Sequence, residues 1–341
     1  MTTIRDIAKA SGVSVATVSY VLNDGPRKVN PETRDRVRKQ MDKLGYQPNA
    51  IARSLYTGRT NTIGVVLYTY GSTNPVASPY FGLVLGGILE SASLLRKSTM
   101  LMLEPITEES THHISMYCDG RSDGLLFIAP PETFKIVKAM VGRRVPYILV
   151  NDSYPDPNVA TIDIDNTKAA RKMMQYLIDK GHRRIAFMNG DNRLDSAASR
   201  DAGYTHALHD AGLTYDPALD IKGQYLERSG YDRALSLYKL PQSERPTAIF
   251  CGSDQIALGA LRAARELNLR VPQDISIAGF DDIPNAAESN PPLTTVHQPL
   301  YRMGQEAVKM LFKRVDGADL EKCELEIEII ERGSVGNPPY V

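Results

Sequence analysis

Apolar positions in the first 45 residues recur at helical spacing. Ile4, Ile7 and Ala8 form one stripe, Val18, Val21 and Leu22 a second, and Val37, Met41 and Leu44 a third. Thr3, with Asp6 three residues on, makes a capping pair for the first helix; Gly12 breaks it and Ser14 caps the second. The stretch Asn23, Asp24, Gly25, Pro26 ends the second helix with turn chemistry, and Pro31 suits the first turn of the third. The outward face of the second helix carries Val15, Ala16, Ser19, Tyr20 and Asn23 and no charge at all. Exposed helix faces usually carry Lys, Glu and Gln. Such a face is built for contact, either with another helix of a bundle or with something outside the chain.

The next segment, PNAIARSLYTG (48–58), reads as a helix of about two turns that Asn49 can cap. Isolated helices under ~12 residues are marginal in water, so this one needs something to pack against. After Thr62 the texture changes. Apolar runs at 62–68, 100–103, 124–128, 147–151, 159–164, 184–190, 248–252 and 275–280 read as strands, and amphipathic stretches between them read as helices. Strands alternating with helices imply parallel sheets with right-handed crossovers. Eight such units exceed what one open sheet comfortably holds, so two lobes are expected.

Composition adds an asymmetry. The 341-residue chain is 42% hydrophobic and has zero formal net charge, yet residues 1–60 hold 11 Lys/Arg against 5 Asp/Glu. A basic head on an acidic body suits a polyanionic partner. The start MTTIRDIAKA lacks the apolar core of a secretory signal, and no run approaches the ~18 apolar residues of a membrane span. Cys118, Cys251 and Cys323 form no CxxC pair; they read as buried thiols in a reducing compartment, and the expected location is the bacterial cytoplasm.

Catalytic patterns do not emerge. The chain has no P-loop, no GxSxG elbow and no HExxH; GDNRLDS fails the ligand periodicity of a calcium loop. His206 and His209 stand three apart on a helix without a third ligand, and His182 follows a helix end, where a cation favours the dipole. The expectation is no enzyme, no metal and no cofactor. The residues that stand out lie at strand ends, where parallel sheets bind ligands: Tyr80, Phe81, Asn151, Arg200, Tyr225, Ser253, Asp254 and Asp281. Charged groups there can hold hydroxyls, and rings can stack on a sugar face.

The runs TIRDIAKASGVSVATVSYVLN and RVRKQMDKLGYQPNAIARSLYTGRTNTIGVV closely resemble the head of the lactose-repressor (LacI/GalR) family of bacterial transcription regulators. The resemblance continues through GHRRIAFMNG, FCGSDQIALGAL, ISIAGFDDIPNA and PPLTTVHQPLYRMG to cover the whole chain. It implies an all-α helix-turn-helix head at 1–47, a hinge helix at 48–60, and a two-lobed α/β core at 61–341 similar to periplasmic binding proteins. The lobes are expected at about 61–161 with 294–323, and about 162–293 with 324–341, the segment PPLTTVHQP being the last crossing between them. By resemblance Val15, Ala16 and Tyr20 read bases. Thr3, Ser14, Thr17, Ser19, Asn23, Asn49, Ala52, Arg53 and Tyr56 accompany them on the DNA, and Leu55 is a minor-groove wedge. The family commonly has Arg where this chain has Tyr20.

The same resemblance places Arg200 and Asp281 on the effector, with Tyr80, Phe81, Asn151, Tyr225, Ser253 and Asp254 around it. Asn151-Asp152 stands where the family often has Asp-Arg, which disfavours a phosphorylated effector and favours a sugar or glycoside. The tail has no leucine heptad, so a homodimer on a pseudo-palindromic operator is expected. The expected function is a repressor controlled by a small molecule held between the lobes. The alternatives are a corepressor-dependent or activating regulator responding to a nucleoside or other metabolite, and a sugar-binding protein without gene control.

Overall fold

A computed structural model describes residues 2–23, 29–47, 49–69, 74–105 and 114–339, with the side chains of residues 23, 50–52, 56, 115 and 116 set aside. The turn residues Asp24, Gly25 and Pro26 lie outside the described residues, as do His112 and His113; so do the side chains of Asn23, Ala52 and Tyr56. The chain forms two compact units, residues 1–60 and 61–341.

In the first unit the capping signals act as the pattern requires. Helices α1 (Ile4–Ser11), α2 (Val15–Asn23) and α3 (Pro31–Lys43) are followed by α4 (Ala50–Thr57). Thr3 and Asp6 make a reciprocal capping box, and Gly12 ends α1 at φ 63°, a left-handed conformation that costs glycine nothing. Ile7, Ala8, Val18, Val21 and Val37 form the core, with Leu22, Met41 and Tyr46 packed on it. Leu44, expected in that core, is 38% exposed. It sits at the C-cap of α3, and Gly45 at φ 59° turns the chain so that Tyr46 reaches the core instead.

The second unit alternates strand and helix as expected. The first sheet uses β1 (Thr62–Thr69), β2 (Ser98–Pro105), β3 (Gly124–Ile128), β4 (Tyr147–Val150) and β5 (Thr161–Ile164), with helices α5 (Pro79–Leu94), α6 (Ile114–Tyr117) and α7 (Thr133–Met140) between them. The chain then builds a second sheet. There α8 (Asn166–Asp179), β6 (Ile185–Met188), α9 (Asp195–Asp210), β7 (Asp220–Ile221), α10 (Glu227–Tyr238), β8 (Ala248–Cys251), α11 (Asp254–Glu266), β9 (Ser276–Asp281), α12 (Pro284–Glu288) and β10 (Thr294–His297) follow in turn. It returns to the first lobe for α13 (Leu300–Val315) and β11 (Lys322–Leu325), and to the second for β12 (Glu328–Ile330). The sheet orders are β11-β5-β4-β3-β1-β2 and β12-β10-β9-β8-β6-β7. Central strands such as β3 and β8 are buried at every position, which is why they read as unbroken apolar runs.

Two expectations need correction. β10 pairs with β9, so residues 294–297 belong to the second lobe; the crossing falls just after them, at Gln298 and Pro299. β5 belongs to the first sheet through its pairing with β4, so that lobe runs to residue 164 rather than 161. The two sheets are parallel as expected, apart from the edge strand β12, which runs antiparallel to β10. The edge strands β7, β11 and β12 escaped the sequence reading. β7 has two residues, too few for a hydrophobic pattern, whereas β11 and β12 lie in KCELEIEII, whose alternation went unread.

Candidate functional site

The first candidate surface is the outward face of α2. Ser14 accepts a hydrogen bond from the Thr17 backbone N–H at 3.1 Å and shares a second at 2.9 Å with the Thr17 hydroxyl, fixing the helix start. Val18 and Val21 are buried below it. Val15 is 41% exposed and Ala16 is exposed, while Thr17, Ser19 and Tyr20 are half-buried. The uncharged face is therefore open to a partner. The Thr3 hydroxyl is engaged with Asp6 at 2.8 Å and serves the cap. In α4 the Arg53 N–H bonds to the Asn49 carbonyl, Arg53 and Asn49 are exposed, and Leu55 is 83% exposed. A leucine so placed on a two-turn helix buries almost nothing within its own chain.

The second surface is a cavity of about 370 Å³ in the core unit, at the carboxyl ends of the strands. It gathers Tyr80, Phe81, Arg200, Tyr225, Ser253 and Asp281. Pro79 opens α5 and puts Tyr80 and Phe81 in its first turn, their rings edge to face with centroids 5.2 Å apart. Arg200, buried on α9, donates from Nε to Asn166 Oδ1 at 2.8 Å and from Nη1 to the Gly252 carbonyl at 2.5 Å. Its guanidinium lies 3.7 Å from the Phe280 ring centroid and 6.0 Å from that of Tyr225. Gly190 makes room for Tyr225, since a Cβ there would lie 2.1 Å from the ring.

Burial dominates the electrostatics. It raises the Asp281 carboxyl to about 7, against the pull of Arg200 and of Gln298, whose Nε2 donates to Asp281 Oδ1 at 2.7 Å. Asp281 and Asp282 have φ of 120° and 60°, so the chain leaves β9 through a constrained turn. Burial also raises the Tyr80 and Tyr225 phenols, which stay protonated as donors. Asp163, behind Arg200, is raised to about 8 by burial.

Two expected members are elsewhere. Asp254, next to Ser253, does not line the cavity. It is fully buried, accepting from the Thr295 hydroxyl at 2.6 Å and the Ile283 N–H at 2.9 Å, and so ties α11 to the turn after β9. Asn151 is buried at φ 58° with its Oδ1 unpartnered among the described residues, and it too stays out of the cavity wall. The residue after it, Asp152, is buried on the Thr133 hydroxyl and raised to about 7 by burial.

Sequence reasoning missed Tyr68, Asp191, Ser196, Gln224 and Gln255, all of which line the cavity. Tyr68 sits near the carboxyl end of β1, so the strand-end rule reaches it. Asp191 and Ser196 belong to the GDNRLDS segment, set aside once the calcium-loop test failed. Burial raises the Asp191 carboxyl, but its bonds with Arg193 outweigh that and hold it below the usual range. His182 is not a helix-end cation: it is fully buried, bonded to Thr247 and Gly336, and burial lowers its pKa. His206 and His209 are exposed on α9, and no cluster of three metal-ligating residues occurs among the described residues.

Comparison with known proteins identifies the family. Residues 3–49 match the family model of bacterial regulatory proteins of the lacI family, and residues 174–335 that of a periplasmic binding protein-like domain. The HTH-type transcriptional repressor PurR of Erwinia tasmaniensis is 36% identical over 100% of this chain and 98% of its own length. That of Vibrio atlanticus is 36% identical over 98% of this chain and 99% of its own. A lac repressor dimer bound to operator and the anti-inducer ONPF superimposes with a TM-score of 0.87 at 27% identity, covering 98% of this chain and 99% of that one. A CelR–cellobiose complex does so with a TM-score of 0.74 at 29% identity, covering 98% and 100%. The chain belongs to the LacI family of bacterial regulatory proteins and is a DNA-binding transcriptional repressor, not an enzyme.

Proposed function

We propose that the repressor acts as a homodimer whose grip on a pseudo-palindromic operator changes when a flat nitrogen heterocycle, a nucleobase or nucleoside, fills the cavity between the lobes. The cavity wall carries the proposal. Tyr68, Tyr80, Phe81 and Tyr225 offer four aromatic rings, and Arg200 and Asp281 stand among them. Rings favour a planar ligand they can stack on. A guanidinium donates only, whereas the Asp281 carboxyl, raised to about 7, accepts when ionised and also donates when protonated, so the pair reads a ligand edge that presents an acceptor to Arg200 and a polar group to Asp281. A sugar of the same size needs a polar partner for each hydroxyl, and Ser196, Gln224, Ser253 and Gln255 offer such partners, so it is the four rings that favour the heterocycle. The carbohydrate expected from the sequence remains the second reading, favoured by the cellobiose complex of the similar CelR.

In the head, Val15, Ala16 and Tyr20 face the major groove, with Ser14, Thr17, Ser19 and Asn23 on phosphates; Asn49, Ala52, Arg53 and Tyr56 accompany Leu55 at the minor groove. The dimer face is the exposed apolar strip of α5 and β2, where Leu89, Leu94, Leu101 and Leu103 are 50%, 78%, 44% and 51% exposed. The site of action is the cytoplasm. Calorimetric titration of the purified chain with adenine, guanine, hypoxanthine, their nucleosides, glucose and cellobiose tests the ligand class. Saturable binding of a base or nucleoside supports the heterocycle; binding of a sugar alone overturns it.

A further inference from the structure

The chain passes between the lobes after β5, after β10 and after β11. At the first passage stands Asn166, the first residue of α8; at the second stands Gln298, between β10 and α13. Both are buried amides, 3% and 2% exposed. Asn166 Oδ1 accepts from Arg200 Nε at 2.8 Å, while its Nδ2 donates at 3.0 Å to Oδ2 of Asp163 in β5, the last strand before the crossing. Gln298 Nε2 donates to Asp281 Oδ1 at 2.7 Å, and its backbone N–H to the Asp281 carbonyl at 3.3 Å. Two of the charged residues of the cavity, Arg200 and Asp281, are thus each bonded to a side chain at a different crossing. Neither Asn166 nor Gln298 lines the cavity itself.

We infer that Asn166 and Gln298 are positioning residues that fasten Arg200 and Asp281 to the two crossings, so that a ligand drawing on Arg200 and Asp281 turns one lobe against the other. The inference rests on the reading of the cavity as the effector site. An amide donates and accepts at once, so it can hold a charged side chain and the crossing segment together. Buried bonds of this kind are costly to leave unmade, so the crossing follows when the gripping residue moves. Gln298 Oε1 is buried with no partner among the described residues. That orphan acceptor raises the energy of the present lobe arrangement, and a second arrangement that supplies it a donor is correspondingly favoured. Lobe rotation about a few chain crossings is an ordinary form of domain motion.

The test uses the full chain with two replacements, Gln298→Leu and Asn166→Ser, so that a folding failure in one leaves the other; His297→Gln is the control. His297 bonds to Asp282 at 2.9 Å, lies beside Gln298 and is the cross-strand neighbour of Asp281, so it perturbs the same turn without removing the Gln298 amide. Spin labels at Lys138→Cys and Lys239→Cys, one on each lobe, with Cys118 and Cys323 changed to serine, report the interlobe distance without ligand. Broadening in the two amide variants and not in the control is expected; a distribution like the parent's in both overturns the inference. Operator affinity is then measured with and without a saturating base or nucleoside from the panel. The expected result is that the ratio falls at least about fivefold toward unity. A ratio fully restored at saturation, with only the midpoint shifted, overturns it, because a residue that merely supports the fold or weakens ligand binding behaves that way. If no panel compound alters operator binding by the parent, the cavity reading fails by itself and the spin-label distances decide the inference.

Discussion

Replacing Leu55 by alanine separates the wedge from every other contribution to DNA binding. The side chain is 83% exposed in the free chain, so its apolar surface is available to be buried on the operator. Burying a leucine fully is worth about 1.5–3 kcal/mol, and alanine keeps little of that, so each head loses about 1–2 kcal/mol. Two heads lose about 2–4 kcal/mol, which at 1.4 kcal/mol per tenfold is about 30- to 700-fold in operator affinity. Binding to unrelated DNA rests on phosphate contacts, which Leu55 does not make, and stays near the parent value. Because the side chain supports nothing in the free chain, thermal unfolding is unchanged. The assay is fluorescence anisotropy with operator and scrambled duplexes at one fixed salt concentration. An operator loss below about threefold, or an equal loss on both duplexes, refutes the wedge.

Further predictions concern the recognition face, the cavity and the buried acids. Tyr20→Arg changes base preference at one position per half-site by about 1–3 kcal/mol, read from a panel of single-substituted operators; an unchanged profile places Tyr20 on the backbone. Gly190→Ala drives a methyl group into the Tyr225 ring and weakens ligand binding at least about tenfold in calorimetry. Operator affinity without ligand stays at the parent value. Asp152, Asp163 and Asp281 are raised by burial to about 7, 8 and 7, whereas an unfolded carboxyl ionises near 3.9. Unfolding therefore releases their protons between about pH 4 and pH 8, and the stability they confer at low pH is lost as pH rises through that window. Asp163→Asn removes one such group, so its stability relative to the parent rises from pH 5 to pH 8 in urea unfolding; a constant difference contradicts the assignment.

The head was legible because its signals are local. Thr3, Gly12, Ser14 and Pro31 act on neighbours within a turn or two, and the Val18, Val21 stripe has one period to obey. Leu44 was misplaced because the turn at Gly45, a left-handed residue, ends the period one step early. In the core, buried strands such as GLLFI announce themselves, whereas the edge strands depend on partners far away in sequence. The run CELEIEII does alternate polar and apolar residues, a period-two signal that marks β11 and β12. Within the cavity, strand-end position found Asp281, which closes β9, whereas Arg200 stands on α9 and came from the family resemblance; neither signal says which way a side chain turns. Ser253 and Asp254 are adjacent, yet one faces the cavity and the other is consumed by Thr295 and Ile283. Gln298 lies in the crossing segment PPLTTVHQP, but neither it nor Asn166 stands out by type or spacing, because their role follows from where the chain crosses between lobes.

The most direct test of the account is a binding selection from random DNA with the full-length chain, run with and without the panel of bases, nucleosides and sugars. The account predicts an enriched pseudo-palindrome of two half-sites, whose enrichment changes when one planar heterocycle is present. Failure to enrich any sequence under every condition, or an enriched operator indifferent to every compound, would contradict it.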